Sequence, residues 1–465
     1  MPAVITLPQG LGAAIGWLAA ATGILLLLLA IALAIGGRLG LKRWGIPEAL
    51  LAGTLGLLVA PSGVLPLIPA EVMTLWDGLP LPLLTLVFAT LLLGKPLPKL
   101  SGLWRPLSGQ VLLALTLAFG QYLVAGLAVL FVLQPLLGVH PLMACLIEVA
   151  FEGGHGSAAA MGPSYASLGF ASGEALGLAM ATVGLLAASV IGGIVVVLAR
   201  RRQGLLGQGS PAASQAPAAE AGGAPEPLLP TIQLLDPIAP SMGPAAWAVN
   251  LALAGGAVLL GAALLEVLRW FAPWLGGGFT AVVEALPVFP LAIAGSLLVR
   301  LLLEKTGQQG LASAAVQGQV GAISADLLIT AATACLDLSL LRHDWISLSV
   351  LALAGLGWNL AVVLLLAPRF LPPDWFERAI IEFGQATGVA ASGLLLLRMA
   401  DPDDRSDALP AFSIKQLLLQ PFLAGGVITV VAPLAIDGWG LPAWTLLCLG
   451  LVVLWIGLGL VLGRR

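Results

Sequence analysis

Two short stretches of the chain repeat one pattern of polar and small residues within otherwise apolar sequence. The first, from Glu152 to Ser157, reads Glu-Gly-Gly-His-Gly-Ser, and the second, from Glu382 to Thr387, reads Glu-Phe-Gly-Gln-Ala-Thr. Each places an acid, a glycine, a His or Gln and a hydroxyl in the same order. Polar groups are costly inside a membrane and mark functional sites there. Gly-interrupted segments at corresponding positions of two halves predict the substrate site of a secondary transporter.

The composition identifies the medium in which these stretches lie. Of the 465 residues, 59% are hydrophobic and 9% are charged, and the mean hydropathy is +1.04. Soluble domains carry about 25% charged residues. We therefore expect an all-α polytopic membrane protein with the lipid bilayer as its main partner. The cysteines lack metal-ligand spacing and read as small core residues. No resident cofactor and no nucleic-acid partner is expected.

A helix needs about 20 apolar residues to span a bilayer. On this basis we predict about 11 spans, of which 79–94 is short and flanked by prolines. Two further segments, 141–163 and 375–398, contain charges and small residues and are interpreted as re-entrant hairpins. Each hairpin carries one copy of the repeated pattern. The predicted spans are 15–36, 46–66, 79–94, 109–134, 174–199, 245–267, 279–302, 315–337, 346–367, 413–435 and 441–462.

The distribution of basic residues predicts the orientation. With the N-terminus outside and the C-terminus cytoplasmic, every Lys and Arg except Arg269 and Arg342 falls in an inner loop. This assignment, which includes Lys415 among the loop residues, satisfies the positive-inside rule. The expected location is the inner (plasma) membrane of a bacterial cell.

The spans divide into two repeats of opposite topology. Residues 1–200 form the N-terminal repeat, with five spans and the first hairpin, and 245–435 form the C-terminal repeat, with five spans and the second. Residues 201–244, rich in Ala, Pro, Gly and Ser, are expected to be a flexible cytoplasmic linker. Because an odd number of spans precedes it, the second repeat is inserted upside down. Residues 436–465 add one last span.

The hairpins supply groups that suit an anionic substrate and a sodium ion. Helix N-termini attract anions, glycines allow close approach, and carboxylate, hydroxyl and carbonyl oxygens coordinate hard cations. Sodium is expected near Glu152, Ser157, Asp326 and Thr387. The residues expected to bind substrate are Gly153, Gly154, His155, Gly156, Ser157, Gly384, Gln385, Thr387, Gly388, Ser392 and Arg398.

Structural interpretations of the same residues stay open at this point. The glycines are also compatible with packing seams between helices, and His155 with a hydrogen-bonded core histidine. Arg398 suits bidentate binding of a carboxylate, but it equally suits a cytoplasmic cation paired with Asp401.

Six short runs of the first half carry a resemblance to a known family: Ile46–Glu48, Phe88–Thr90, Gly138–Met143, Gly153–Ala159, Gly177–Leu185 and Ile191–Gly193. In these runs the chain resembles the glutamate:sodium symporters, which are distantly related to the sodium:citrate carriers of the 2-hydroxycarboxylate family. The resemblance implies sodium-coupled symport, a homodimeric scaffold and a mobile domain that carries both hairpins in an elevator-like motion. One departure is the second hairpin, since 384–393 lacks the Thr-Pro pair of the best-known members.

Other functional classes fit the sequence less well. It contains no Walker loop for an ATP-driven pump and no motif of a hydrolase or metalloprotease, so no enzyme activity is expected. A channel would need a standing pore, whereas paired hairpins suit alternating access. The predicted function is symport of L-glutamate or a related acidic amino acid. The alternative is a sodium-coupled carrier of another small dicarboxylate or organic anion.

Overall fold

The computed structural model describes residues 11–40, 47–61, 63–94, 104–205, 243–336, 338–371, 374–401 and 406–463. Every regular element in these residues is helical, which agrees with the predicted all-α class. Most of the predicted linker at 201–244 lies outside the described residues.

In the described residues of the first half, the chain forms ten α-helices and one five-residue π turn, Val129–Leu133. A short 3-10 turn, Pro141–Cys145, precedes the seventh helix. The helices are α1 (Leu11–Leu39), α2 (Glu48–Val59), α3 (Ala70–Asp77), α4 (Pro80–Thr90), α5 (Trp104–Ala128), α6 (Gln134–Leu137), α7 (Leu146–Phe151), α8 (Gly154–Ala160), α9 (Gly162–Ser167) and α10 (Gly173–Leu205).

The part of the second half that the structure describes also forms ten α-helices and one π turn, Val362–Leu366, together with a 3-10 turn at Gln309–Leu311. The helices are α11 (Pro244–Leu275), α12 (Gly277–Ala285), α13 (Phe289–Lys305), α14 (Ala314–Ala334), α15 (Leu338–Ala361), α16 (Ala367–Phe370), α17 (Trp375–Ala400), α18 (Ala408–Leu419), α19 (Val427–Trp439) and α20 (Leu441–Leu462).

Among the described residues, eight helices are long and apolar enough to cross a membrane, against 11 predicted spans. The predicted span 46–66 contains only the 12-residue helix α2. The predicted span 413–435 is not continuous, because the chain leaves α18 at Leu419 and enters α19 at Val427. Ala424 and Gly425 take positive φ angles between them, which no α-helix accommodates.

Apolar side chains cover much of the outer surface. Phe131, Leu259 and Trp274 are each more than 70% exposed. A soluble protein rarely exposes so many large apolar side chains together. The surface is therefore suited to lipid, and the multi-pass membrane class follows from it.

The first predicted hairpin is a chain reversal. The segment starts after His140 and returns to Phe170, and the two rings stack with their centroids 5.0 Å apart. The helical path is interrupted between α7 and α8, at Glu152 and Gly153. The ends of the segment thus lie together, and its tip lies at the repeated sequence pattern.

The second predicted hairpin is also a chain reversal, hidden inside the long element α17. Gly388 (φ −156°, ψ 43°) and Val389 (φ 68°, ψ 167°) leave helical geometry and divide it into two arms. The arms contact each other closely, since a Cβ on Gly384 would collide with the backbone of Gly393. This tip lies just after the second copy of the pattern.

The two hairpins lie along α5 in opposite senses. Near the start of α5, Gln110 donates to Glu382 Oε1 at 2.7 Å, in the first arm of the second hairpin. Midway along, Gln121 donates to the carbonyl of Ala386, close to the second tip. The next residue, Tyr122, donates to Glu148 Oε2 at 2.6 Å, close to the first tip. The base of the first hairpin follows the far end of this helix, so the bases lie at opposite ends and the tips meet in the middle.

Candidate functional site

The tips of both hairpins line one cavity of about 190 Å³. The start of α2 and helices α4, α10 and α14 supply its apolar walls, and α18 and the loop after it supply amide groups. The lining residues are Pro47, Leu50, Leu84, Val87, Phe88, Glu152, Gly153, Gly154, His155, Gly156, Ser157, Ala181, Leu185, Ala325, Leu328, Ile329, Gln385, Gly388, Val389, Ala390, Ala391, Gln416, Gln420 and Ala424.

The tips touch each other at Gly154 and Val389. Gly154 has a φ of +69°, and a Cβ added to it would collide with Val389 Cγ1. A side chain at this position would therefore be strained in its backbone and would force the tips apart. Glycine is required here by both conformation and space.

Val389 holds a conformation that β-branched residues rarely adopt. Its φ of 68° lies in the left-handed region, at a cost on the order of 1–3 kcal/mol. Ser392 stabilises the break by donating to the carbonyl of Gly388 at 2.6 Å. Such strain is concentrated at functional sites, and here it ends the first arm and starts the second at Ala390.

Glu152 and Ser157 present buried polar atoms to the cavity. Glu152 is 6% exposed and Ser157 is 1% exposed. The Oε2 of Glu152 and the Oγ of Ser157 have no hydrogen-bond partner among the described residues. A buried polar atom without a partner costs about 1–3 kcal/mol. Both atoms lie on the lining of a cavity, so a bound ligand is the natural partner.

His155 is held by the neighbouring helix. Its Nε2 lies 3.0 Å from the hydroxyl of Thr182 in α10, and that hydroxyl donates to the carbonyl of Leu178 at 3.1 Å. The two contacts are compatible when the His155 Nε2 carries the ring hydrogen and donates it to the Thr182 hydroxyl. The ring lines the cavity in a defined orientation.

The structure contains a buried cation that the sequence reasoning assigned to an inner loop. Lys415 lies within α18 and is 1% exposed. Its Nζ forms an ion pair with Glu382 Oε2 at 2.9 Å. It also donates to Gln385 and Gln416, each at 3.0 Å. The loop assignment was wrong because the helix break after α18 places this lysine against the second hairpin.

A second buried acid connects the first hairpin to the loop between α18 and α19. Glu148 accepts hydrogen bonds from Tyr122, from the backbone of Ala424 at 3.2 Å and from Thr429. Gln420 donates to the carbonyl of Ala424 at 3.2 Å. Glu148 is therefore fully engaged in structure, unlike Glu152 one helical turn later.

Seven of the eleven residues expected to bind substrate line the cavity: Gly153, Gly154, His155, Gly156, Ser157, Gln385 and Gly388. Two other predicted residues, Thr387 and Ser392, form hydrogen bonds near the second tip but do not line the cavity. Thr387 accepts from Asn359 Nδ2 at 3.1 Å, and Ser392 caps the break. Gly384 lies where the two arms cross. Arg398 lies on an exposed face near the end of the second arm, away from the tip.

The residues expected near sodium are brought together only in part. Glu152 and Ser157 share the cavity, Asp326 is buried in α14 beside the lining residue Ala325, and Thr387 lies behind the second tip. No group of three or more His, Cys, Asp or Glu side chains suited to a metal occurs in the described part of the chain. A sodium ion here would need hydroxyl and backbone oxygens as well.

Comparison with known proteins gives one family match. Residues 15–216 match the family model described as sodium/glutamate symporter, which confirms the predicted resemblance over that part of the chain. The match includes the whole first hairpin. No curated protein and no solved structure matches the chain.

Proposed function

We propose that the chain is a secondary transporter that couples the uptake of L-glutamate, or a related acidic amino acid, to sodium. The family match supports sodium/glutamate symport as the class of activity. The observation that links this function to specific residues is the cavity that both hairpin tips line. A site shared by two broken helices is the arrangement that secondary transporters use.

Backbone groups and amides are suited to hold the substrate carboxylates. The second arm of α17 begins at Ala390, and the first N–H groups of a helix have no partner within the helix. Ala390 and Ala391 line the cavity, together with Gln385, Gln416 and Gln420. Helix N-termini favour anions through these N–H groups and through the helix dipole.

Sodium is the proposed coupling ion, with the unpartnered Ser157 Oγ on the cavity lining as a candidate ligand. The carboxylates of an acidic substrate repel each other and the oxygen atoms of the lining. A cation bound at the same time reduces this repulsion. Sodium and substrate therefore favour each other's binding, which is the thermodynamic requirement of a symporter.

Alternating access is the mechanism that the hairpins favour. Because their bases lie at opposite ends of α5, each hairpin is suited to cover the cavity from a different face of the membrane. The matching π turns and hairpins support two repeats of inverted topology. We propose that the hairpins move as one elevator-like domain against a scaffold, in a homodimer with the N-terminus outside and the C-terminus in the cytoplasm.

The test is uptake of radiolabelled L-glutamate into proteoliposomes that contain the purified protein. An inward sodium gradient should drive saturable uptake, and an equal potassium gradient or a sodium ionophore should abolish it. Protein-free liposomes are the control. Uptake that is equal with and without sodium would contradict the coupling, and a flux that does not saturate would indicate a channel.

Competition by unlabelled anions defines the substrate class in the same assay. Stronger competition by small dicarboxylates than by acidic amino acids would transfer the proposal to the alternative, a dicarboxylate carrier.

A further inference from the structure

We propose that Glu152 binds the ammonium group of the substrate and thereby selects amino acids over dicarboxylates that lack an amine. This inference rests on the proposed function and adds a specificity determinant to it. It is carried by the charge on the cavity lining and by the hydrogen bonds that the other charged groups already make.

Glu152 is the one charged side chain among the described residues that line the cavity. Its Oε2 is buried and has no hydrogen-bond partner in the described part of the chain. A buried carboxylate without a partner is unstable as an anion. The cavity therefore offers a strong acceptor that a cationic group of the cargo would satisfy.

The nearby charged groups cannot serve as that partner, because each is already engaged. Lys415 pairs with Glu382 and donates to two glutamines. Glu382 accepts from Gln110 as well. Glu148 accepts from the hydroxyl of Tyr122 and from the backbone of Ala424. A cationic group of a ligand can therefore pair with Glu152 without breaking any of these contacts.

The placement of acceptors and donors fits an α-amino acid. Glu152 lies at the first tip, whereas the N–H groups of Ala390 and Ala391 lie at the second tip, across the same cavity. The ammonium and the carboxylates of an acidic amino acid require opposite partners. A dicarboxylate without an amine would place only negative groups beside Glu152, and this repulsion would weaken its binding.

The experiment compares L-glutamate with glutarate, which has the same two carboxylates and no amine. Both are titrated as unlabelled competitors of sodium-driven glutamate uptake in wild type and in Glu152→Gln. The wild type should prefer L-glutamate by about ten- to a hundredfold, the value of a charge-assisted hydrogen bond. Glu152→Gln should bring this ratio close to one, mainly by weakening L-glutamate.

Two variants serve as controls. Glu71→Gln removes an exposed carboxylate from α3 and should keep the wild-type ratio. Ser157→Ala removes the other unpartnered cavity oxygen without a change in charge. It should raise the sodium concentration needed for half-maximal uptake while the preference for L-glutamate is kept.

Three results would overturn the inference: an unchanged preference in Glu152→Gln, a wild-type ratio close to one, or a Glu152→Gln effect confined to sodium dependence. The last would show that the carboxylate holds the coupling ion. If Glu152→Gln does not fold, thermal stabilisation of the wild-type protein by L-glutamate and by glutarate gives the wild-type preference, and equal stabilisation by the two compounds overturns the inference. A wild-type protein without sodium-driven uptake would instead contradict the proposed function itself.

Discussion

The ammonium group of Lys415 lies 2.9 Å from the carboxylate of Glu382, and the two side chains are 1% and 2% exposed. The pair joins α18 to the first arm of the second hairpin. Gln110 on α5 donates to the same carboxylate. A buried ion pair is strongly destabilised when one partner is removed, since the other charge then stays buried alone.

We expect Lys415→Met to lower the free energy of unfolding by about 3–5 kcal/mol. The physical reason is the unpaired Glu382, so the double variant Lys415→Met, Glu382→Gln should recover much of the loss. Thermal unfolding of the purified protein in detergent measures both. Lys305→Met, at an exposed lysine at the end of α13, is the matched control. A double variant no more stable than Lys415→Met would contradict the ion-pair explanation.

Gly154→Leu should abolish uptake while the protein stays folded. A leucine would collide with Val389 and would require a positive φ that costs a β-carbon-bearing residue about 1 kcal/mol or more. Uptake and size-exclusion behaviour are measured together. Gly255→Leu, in α11, is the control because nothing lies within 4 Å of a Cβ added there. Normal uptake by a folded Gly154→Leu protein would show that contact between the tips is dispensable.

Arg398→Ala should leave the affinity for substrate within about twofold of wild type, the usual range for an exposed side chain away from a site. Arg398 lies on an exposed face, and the second tip is about three helical turns away along its arm. Competition by unlabelled L-glutamate gives the affinity. A tenfold loss of affinity for L-glutamate would indicate that Arg398 does bind the substrate.

Single cysteines at the ends of the hairpins should react from opposite faces of the membrane. Ser167 lies near the end of the first hairpin, and Ser406 follows the second. With Cys145, Cys335 and Cys448 replaced, an impermeant thiol reagent should label one position in right-side-out vesicles and the other in inverted vesicles. Labelling of both positions from the same face would contradict the inverted repeat.

The hairpins could be predicted from the sequence because their signal is local. Acids, glycines and hydroxyls within a few residues of each other break an apolar helix. The order of these residues also repeats between Glu152 and Glu382. The predicted cavity residues follow the same local pattern, and seven of them do line one cavity.

Lys415 and the acceptor role of Glu148 could not be predicted in this way, because their partners are distant in the chain. Glu148 accepts a hydrogen bond from the backbone of Ala424, and Lys415 forms an ion pair with Glu382. Hydropathy predicts one span, 413–435, where the structure has the two helices α18 and α19, and Lys415 then falls at the edge of that span. The adjacent Gly425 and Gly426 were the signal of a break, since paired glycines inside an apolar helix favour irregular backbone. The charge and the planar guanidinium of Arg398 favour a role in carboxylate binding, but its exposed position depends on how the second arm packs.

The two π turns have a mechanical consequence for the hairpins. Val129–Leu133 precedes Pro135, and Val362–Leu366 precedes Pro368, one turn before each hairpin base. A π turn contains one residue more than a turn of α-helix. Loss of that residue would rotate the chain that follows by about 100° about the helix axis. Proline cannot donate to the preceding turn, so it keeps the extra residue from migrating along the helix. The two π turns thus fix the direction, around the helix axis, in which the chain enters each hairpin.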